Sequence, residues 1–335
     1  GSTMTVASGF SVWNGDAWNT PVSAKFITGY DEVSIPEMIT TEGSKVILPN
    51  DLCHAVVIDA NNIEVGFYGW MVNDKFYFAG DTVYADENGL TATAVWAPVV
   101  FVDSTYTGED SDGTFDKPFA NPDLTHGALN AVWIAHPSSY SYGIVCFKAD
   151  YVWDARNSTL ITVTNMIQLA AAEKPILYRG SSDDVIVSFL DTEKTVNYIV
   201  TWGETGFDGL TIRMLTGAGT TRFYPKYDLY FGPNFLTSLV ALDASYPAKP
   251  IGIDPSGHID THFVGRIYGG AWDYFYLGST SEVKTETYYV GTGESDLTVN
   301  LIAINNIASR SKSFAYINSG TVTNLHVASI DNIDS

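Results

Sequence analysis

Short apolar runs broken by Gly, Asn and Asp dominate this chain, and most are too short for helices. The clearest lies at 90–96, where Leu90, Ala92, Ala94 and Trp96 fall on one face of an extended strand and Thr91, Thr93 and Val95 on the other. Just upstream, Asn73-Asp74 stands between two aromatic-rich runs at the spacing of a two-residue hairpin loop. That register sets Trp70 opposite Tyr77 and Met71 opposite Phe76. Residues 24–29 read as a strand, and 32–49 as a short helical turn running into a strand that stops at Pro49. Residues 5–22 hold aromatics without a sustained period and read as a lead-in strand or extended arm.

Beyond Phe101 the runs keep recurring, among them residues 143–149, 159–164, 174–180, 185–190, 198–203, 210–215, 228–232, 239–244, 262–270, 297–304, 313–317 and 322–330. Strands of this kind separated by turn residues fit a solenoid in which each coil buries its inward side chains against the next. At about 20–30 residues per coil, residues 140–335 supply about seven to nine coils. Residues 124–136 are expected to form a helix over the open end of the stack. A two-sheet sandwich or jelly roll is the structural alternative, because it too reads as many short strands.

Two stretches resemble known families. Gly69-Trp70, the hairpin, residues 80–83 (Gly-Asp-Thr-Val) and the closing Ala94-Val95-Trp96, preceded by residues 43–49, resemble the Listeria-Bacteroides or internalin B-type repeat. The likeness spans residues 23–97 and departs from the family pattern in a long stretch between Pro49 and Gly66. It implies a small β-grasp-like module of bacterial surface proteins, a spacer or adhesive unit without catalytic residues. Val102-Asp103, residues 108–110, Gly113-Thr114 and Pro118-Phe119, with the helix that follows, resemble the start of secreted right-handed parallel β-helix proteins of the pectin-lyase-like superfamily. The expected organisation is a lead-in segment at 1–22, the module at 23–97 and a β-helix at 98–335.

Composition agrees with a mainly β chain: Tyr, Phe, Trp, Thr, Val and Ile are abundant, while Lys, Glu and Gln are scarce. A length of 335 residues favours two domains or one long repetitive one. In a module of about 75 residues, the aromatics of 67–96 are expected to be the core itself, since small domains need large side chains to bury enough area. With 17 basic and 38 acidic residues the net charge is −21, which repels nucleic acid and anionic lipid. No apolar run is long enough to span a bilayer, so membrane insertion is not expected. Cys53 and Cys146 are too few for a disulfide framework. The opening Gly-Ser-Thr-Met reads as a cloning remnant, and the last strand, with no polar cap after it, suggests a chain that continues or an atypical final coil.

Candidate chemistry is sparse. Asp103, Glu109, Asp110, Asp112 and Asp116 offer hard oxygen ligands for Ca²⁺ but do not follow the EF-hand spacing, and Asp and Gly are also ordinary turn residues. His258, Asp260 and His262 alternate along one expected strand face and, with Asp254, offer ligands for a transition metal or groups for acid–base work. Asp183-Asp184 reads as a turn rather than a glycosidase pair, because adjacent strand residues point oppositely. Arg213, Arg222 and Lys226 are the basic residues clustered enough to serve as a lyase base. The Gly-rich residues 216–220 lack the lysine of a phosphate loop. Trp202, Trp272, Tyr274 and Tyr276 are either ligand contacts or stacked filling between coils. The expected function is a secreted or cell-surface, adhesin-like protein without enzymatic activity, binding a host or neighbouring-cell protein or glycan. The alternative is a carbohydrate-active enzyme, and an inert spacer is a third option.

Overall fold

The computed structural model describes residues 12–13, 18–19, 21–154, 166–169, 174–191, 198–216, 221–255, 258–259, 262–277, 285–292, 297–306 and 312–329. The chain is mainly β. Among the described residues one α-helix forms, Thr125–Ala135, preceded by a single 3-10 turn.

The hairpin takes the register expected of it, with Trp70 opposite Tyr77 and Met71 opposite Phe76. Asn73 and Asp74 both have positive φ, 48° and 60°, the type I′ geometry whose twist matches that of the flanking strands. Trp70 is fully buried, donates its indole N–H to the Pro49 carbonyl at 2.9 Å, and meets Phe26 and Phe67 edge-on. Trp96 donates to the Thr28 carbonyl at 2.8 Å. The aromatics here fill a small core. The helical turn expected after Glu32 is absent. Pro36 lacks the N–H that a helix would use, and the chain instead bends into the strand Met38–Thr41.

One strand, Leu90–Val102, runs through 13 residues, its pairing with Glu64–Val72 shifted by a bulge between Val95 and Trp96. Its residues 90–93 pair in parallel with 24–27, residues 93–98 pair antiparallel with 65–71, and residues 99–102 pair in parallel with 144–147. Ala97-Pro98, the expected boundary between the module and the β-helix, is continuous strand. Pro98 has no N–H to give and stands where the pairing passes from one neighbour to the next.

From Gly143 onward the chain visits parallel sheets in rotation. Gly143–Phe147, Ile176–Gly180, Thr205–Asp208, Leu229–Phe231, His262–Ile267, Thr285–Val290 and Lys312–Ile317 lie side by side in a 13-stranded sheet that also contains Leu90–Val102. Four visits continue through a second sheet (Tyr151–Asp154, Ile186–Asp191, Leu210–Thr216, Phe235–Ser238). A third sheet, from Met166–Leu169 to Thr321–Ser329, completes each coil, and after Phe235–Ser238 the coils pass to it directly. Equivalent inward residues stack from coil to coil: Tyr178, Phe207 and Phe231 are in register, with ring centroids 5.3 and 5.4 Å apart and nearly parallel planes. Truncating such a ring to alanine costs about 3–5 kcal/mol. Leu129 and Trp133 of the helix pack on the first coil, and the Trp133 ring lies where any side chain at Gly143 would collide.

Two expectations fail for residues beyond 98. A sandwich or jelly roll does not describe this region, because its described strands pair in parallel apart from Ala248–Lys249, which is antiparallel to the Leu210–Thr216 strand, and one isolated bridge. Residues 239–244 are not a strand. Ala248–Lys249 takes the edge beside Met214 and Leu215, so Leu239, Val240 and Leu242 are left in an exposed loop. Residues 159–164, 217–220 and 330–335 lie outside the described residues.

The N-terminal unit, whose strands Pro21–Ile27, Met38–Thr41, Val56–Ile58, Glu64–Val72 and Lys75–Tyr77 belong to the same 13-stranded sheet, covers the outer face of the sheet's first coil strands. Tyr68, Val99, Phe101, Ile144, Cys146, Leu177 and Tyr230 form one buried cluster across the contact. Inside it, the buried guanidinium of Arg179 donates to the carbonyls of Cys53 and Phe67. Asp208 accepts from Asn50 Nδ2 at 2.9 Å and from the N–H groups of Gly209 and Asn234 at 3.0 Å. Burial raises the Asp208 carboxyl, and its hydrogen bonds and Arg179 oppose that rise. Arg179→Met would leave two buried carbonyls without their donors and Asp208 without its nearby cation. It is expected to lower stability by about 3 kcal/mol in denaturant unfolding, whereas the exposed Lys25→Ala stays within about 0.5 kcal/mol. An unchanged midpoint for Arg179→Met would contradict this placement.

Candidate functional site

The outward position of the long sheet repeats in register from coil to coil: Leu177, Gly206, Tyr230, Arg266, Tyr289, Tyr316. The N-terminal unit buries the first members and leaves the last ones open. Tyr230 is buried, with Phe78 stacked on its ring at 4.2 Å. The Arg266 guanidinium lies 5.7 Å from the ring centres of both Phe78 and Tyr289, so it bridges the two units through cation–π contacts. Tyr289 stacks on Tyr316 at 5.3 Å with planes 14° apart, and Tyr316 is 52% exposed.

Where this ladder emerges, a cleft of about 300 Å³ opens between the two units. Lys45, Lys75, Tyr77 and Tyr84 line it from the N-terminal side, and Arg266, Tyr268, Tyr289 and Tyr316 from the coils. The floor is Gly80-Asp81. Gly80 has φ +85°, and a side chain there would strike Tyr268, Pro233 and Thr292, so the tight turn lets the two units approach closely. Asp81 is fully engaged: it accepts from the Tyr268 hydroxyl at 2.5 Å, faces Arg266 Nε at 3.2 Å, and accepts from the Phe78 N–H at 2.9 Å. Burial and the Asp81 charge hold the Tyr268 phenol far above its ordinary range.

The residues expected from sequence lie elsewhere. Trp272 is buried in the coil core against Phe231 and Phe235, donates to the Gly269 carbonyl, and is not a surface contact. Tyr274 and Tyr276 lie half-buried on the other face of the same strand, where burial pushes Tyr274 to about 12. Trp202 is 37% exposed, with the Lys226 ammonium 5.5 Å from its ring. None of the four lines the cleft.

His258 and His262 do not share a face. After Pro255, His258 turns inward, its Nδ1 2.6 Å from the Pro255 carbonyl and 3.6 Å from Glu286, both side chains wholly buried, whereas His262 is exposed at the start of its strand. Asp254 pairs with Arg222 at 2.9 Å, and Asp260 lies outside the described residues.

In the acidic loop, Asp103 accepts from the N–H and hydroxyl of Thr105, and Asp112 does the same with Thr114. Asp110 pairs with Lys117 at 2.5 Å, and Glu109 and Asp116 are exposed. Among the described residues no group of three or more His, Cys, Asp or Glu is placed to hold a metal ion. Asp183 sits in the expected turn and meets His54 Nε2 at 2.8 Å.

The cleft was missed because its residues are far apart in sequence. One signal was present: Tyr230, Arg266, Tyr289 and Tyr316 each stand directly before an inward apolar residue, with a glycine soon after. Neither the family models, nor the curated proteins, nor the solved structures contain a match to this chain.

Because the folded Tyr268 pKa lies above the unfolded value, the stability it contributes is complete below about pH 10 and is lost as pH rises above that. Tyr268→Phe is therefore expected to cost about 1 kcal/mol at neutral pH and to make the alkaline fall in stability shallower. Thermal melts between about pH 7 and 11 check this, and an unchanged alkaline limb would contradict the burial of the Tyr268 phenol beside Asp81.

Proposed function

We propose that this is a non-enzymatic binding protein of a bacterial surface, secreted or held in the cell wall. In this reading the coils form a right-handed parallel β-helix of the pectin-lyase-like kind, with an internalin B-type β-grasp module on its flank. The cleft between them receives a host or neighbouring-cell protein or glycan. What supports this most is the aromatic and cationic ladder that leaves the buried contact and opens to solvent at Tyr316. Concave sites lined by aromatics with a few polar groups are typical of ligand binding.

The same cleft favours binding over turnover. Glycoside hydrolysis needs two converging carboxyl groups, and Asp81 is the only one among the described lining residues. A lyase of this kind places its base beside a carboxylate-bound cation, and Asp81, the one acid of the described lining, is already held by Tyr268 and Arg266. At the surface for which the resemblances argue, the ladder would give adhesion by shape and stacking.

A glycan and host-protein array run beside a polysaccharide-degradation panel tests this. Binding without product is expected, with affinity reduced about tenfold or more by Tyr316→Ala, a change of roughly 1.4 kcal/mol or more. Release of product from any polysaccharide would overturn the proposal.

A further inference from the structure

We infer that the cleft takes a saccharide bearing an anionic substituent, a carboxylate or a sulfate, with the sugar ring on the exposed tyrosines and the anion between Lys45 and Lys75. This rests on the cleft being a binding site and names the chemistry it selects.

Charge is the first argument. The chain carries 17 basic against 38 acidic residues, yet Lys45, Lys75 and Arg266 converge on one cavity. The one acid among the described lining residues, Asp81, is already committed to Tyr268 and Arg266. Lys45 and Lys75 have no ion-pair partner among the described residues, and the Lys75 ammonium lies 4.9 Å from the Tyr77 ring centre. Unneutralised cations facing a shared cavity attract an anion, and because both side chains are exposed that attraction is screened by salt.

Shape supplies the second argument. About 300 Å³ lies at the lower end of small-molecule sites, suited to a short or terminal sugar rather than an enclosed polymer. Tyr84 and Tyr316 are 64% and 52% exposed, so their rings are available to the apolar face of a pyranose. Arg266 is held between Phe78 and Tyr289, which fixes its guanidinium at the wall. Aromatics with cations also suit single-stranded nucleic acid, but a cleft of about 300 Å³ holds one sugar's anionic group within the local field of its lysines, whereas a phosphate chain would extend beyond it over a surface of net charge −21.

The test uses the full chain and three tetrasaccharides: a sulfated heparin fragment, oligogalacturonate and neutral cellotetraose, titrated calorimetrically. At least one anionic probe is expected to bind about tenfold or more tightly than the neutral one, and to weaken as salt rises from about 50 to about 300 mM. The double variant Lys45→Ala/Lys75→Ala should lose about tenfold or more, whereas Lys25→Ala, away from the cleft, should bind unchanged. Both cleft lysines are exposed, so an unshifted melting curve shows that the double variant is folded. Which anionic probe binds better identifies the substituent. The inference is overturned if neither anionic probe binds, if the double variant binds as before, or if cellotetraose binds equally well. A neutral glycan or a protein whose binding depends on Tyr316 but not on the lysines would sink only the charge inference. Product release would sink the underlying reading as well.

Discussion

The 13 residues of Leu90–Val102 hold this molecule together, because one uninterrupted strand serves two cores. Its first part completes the small N-terminal sheet, and its last four residues start the stack of parallel coils. A strand cannot swivel about its own middle without losing its ladder bonds. The N-terminal unit is therefore held against the outer face of the long sheet, and the buried Arg179 then fastens it there through the carbonyls of Cys53 and Phe67. Breaking a contact of that kind leaves buried polar groups unpaired, which is why the two units are better viewed as one body.

The cleft is a consequence of this arrangement. The outward ladder of the long sheet is longer than the unit that covers it. Under the cover, the ladder position is filled by Leu177 and Tyr230; beyond it, by Arg266, Tyr289 and Tyr316. The same register thus supplies interface packing at one end and an open aromatic wall at the other. Asp81 and Tyr268 stiffen the corner where the two regimes meet.

Local patterns in the sequence carried much of the fold. The Asn73-Asp74 loop, the alternation of 90–96, the helix at 125–135 and most later strands could be read because each depends on neighbours in the chain. Trp272 and His258 could not be placed, since burial along Ala271–Leu277 skips from Trp272 to Phe275 rather than alternating, and His258 turns in toward the Pro255 carbonyl before its strand begins. Residues 239–244 looked like a strand by composition, but Ala248–Lys249 took the edge beside Met214 and Leu215. The cleft depends on pairings between residues tens of positions apart, so no window of sequence contains it.

Native-state hydrogen exchange across the shared strand tests the single-body view most directly. Amides of residues 93–97 and 99–102 should open together, with those of 65–71 and 144–147, at one common free energy. Rapid exchange at Ala97 and Val99, on either side of Pro98, with separate opening energies for the two flanks, would show two independently folding units joined by a flexible link, and the cleft would lose its fixed walls.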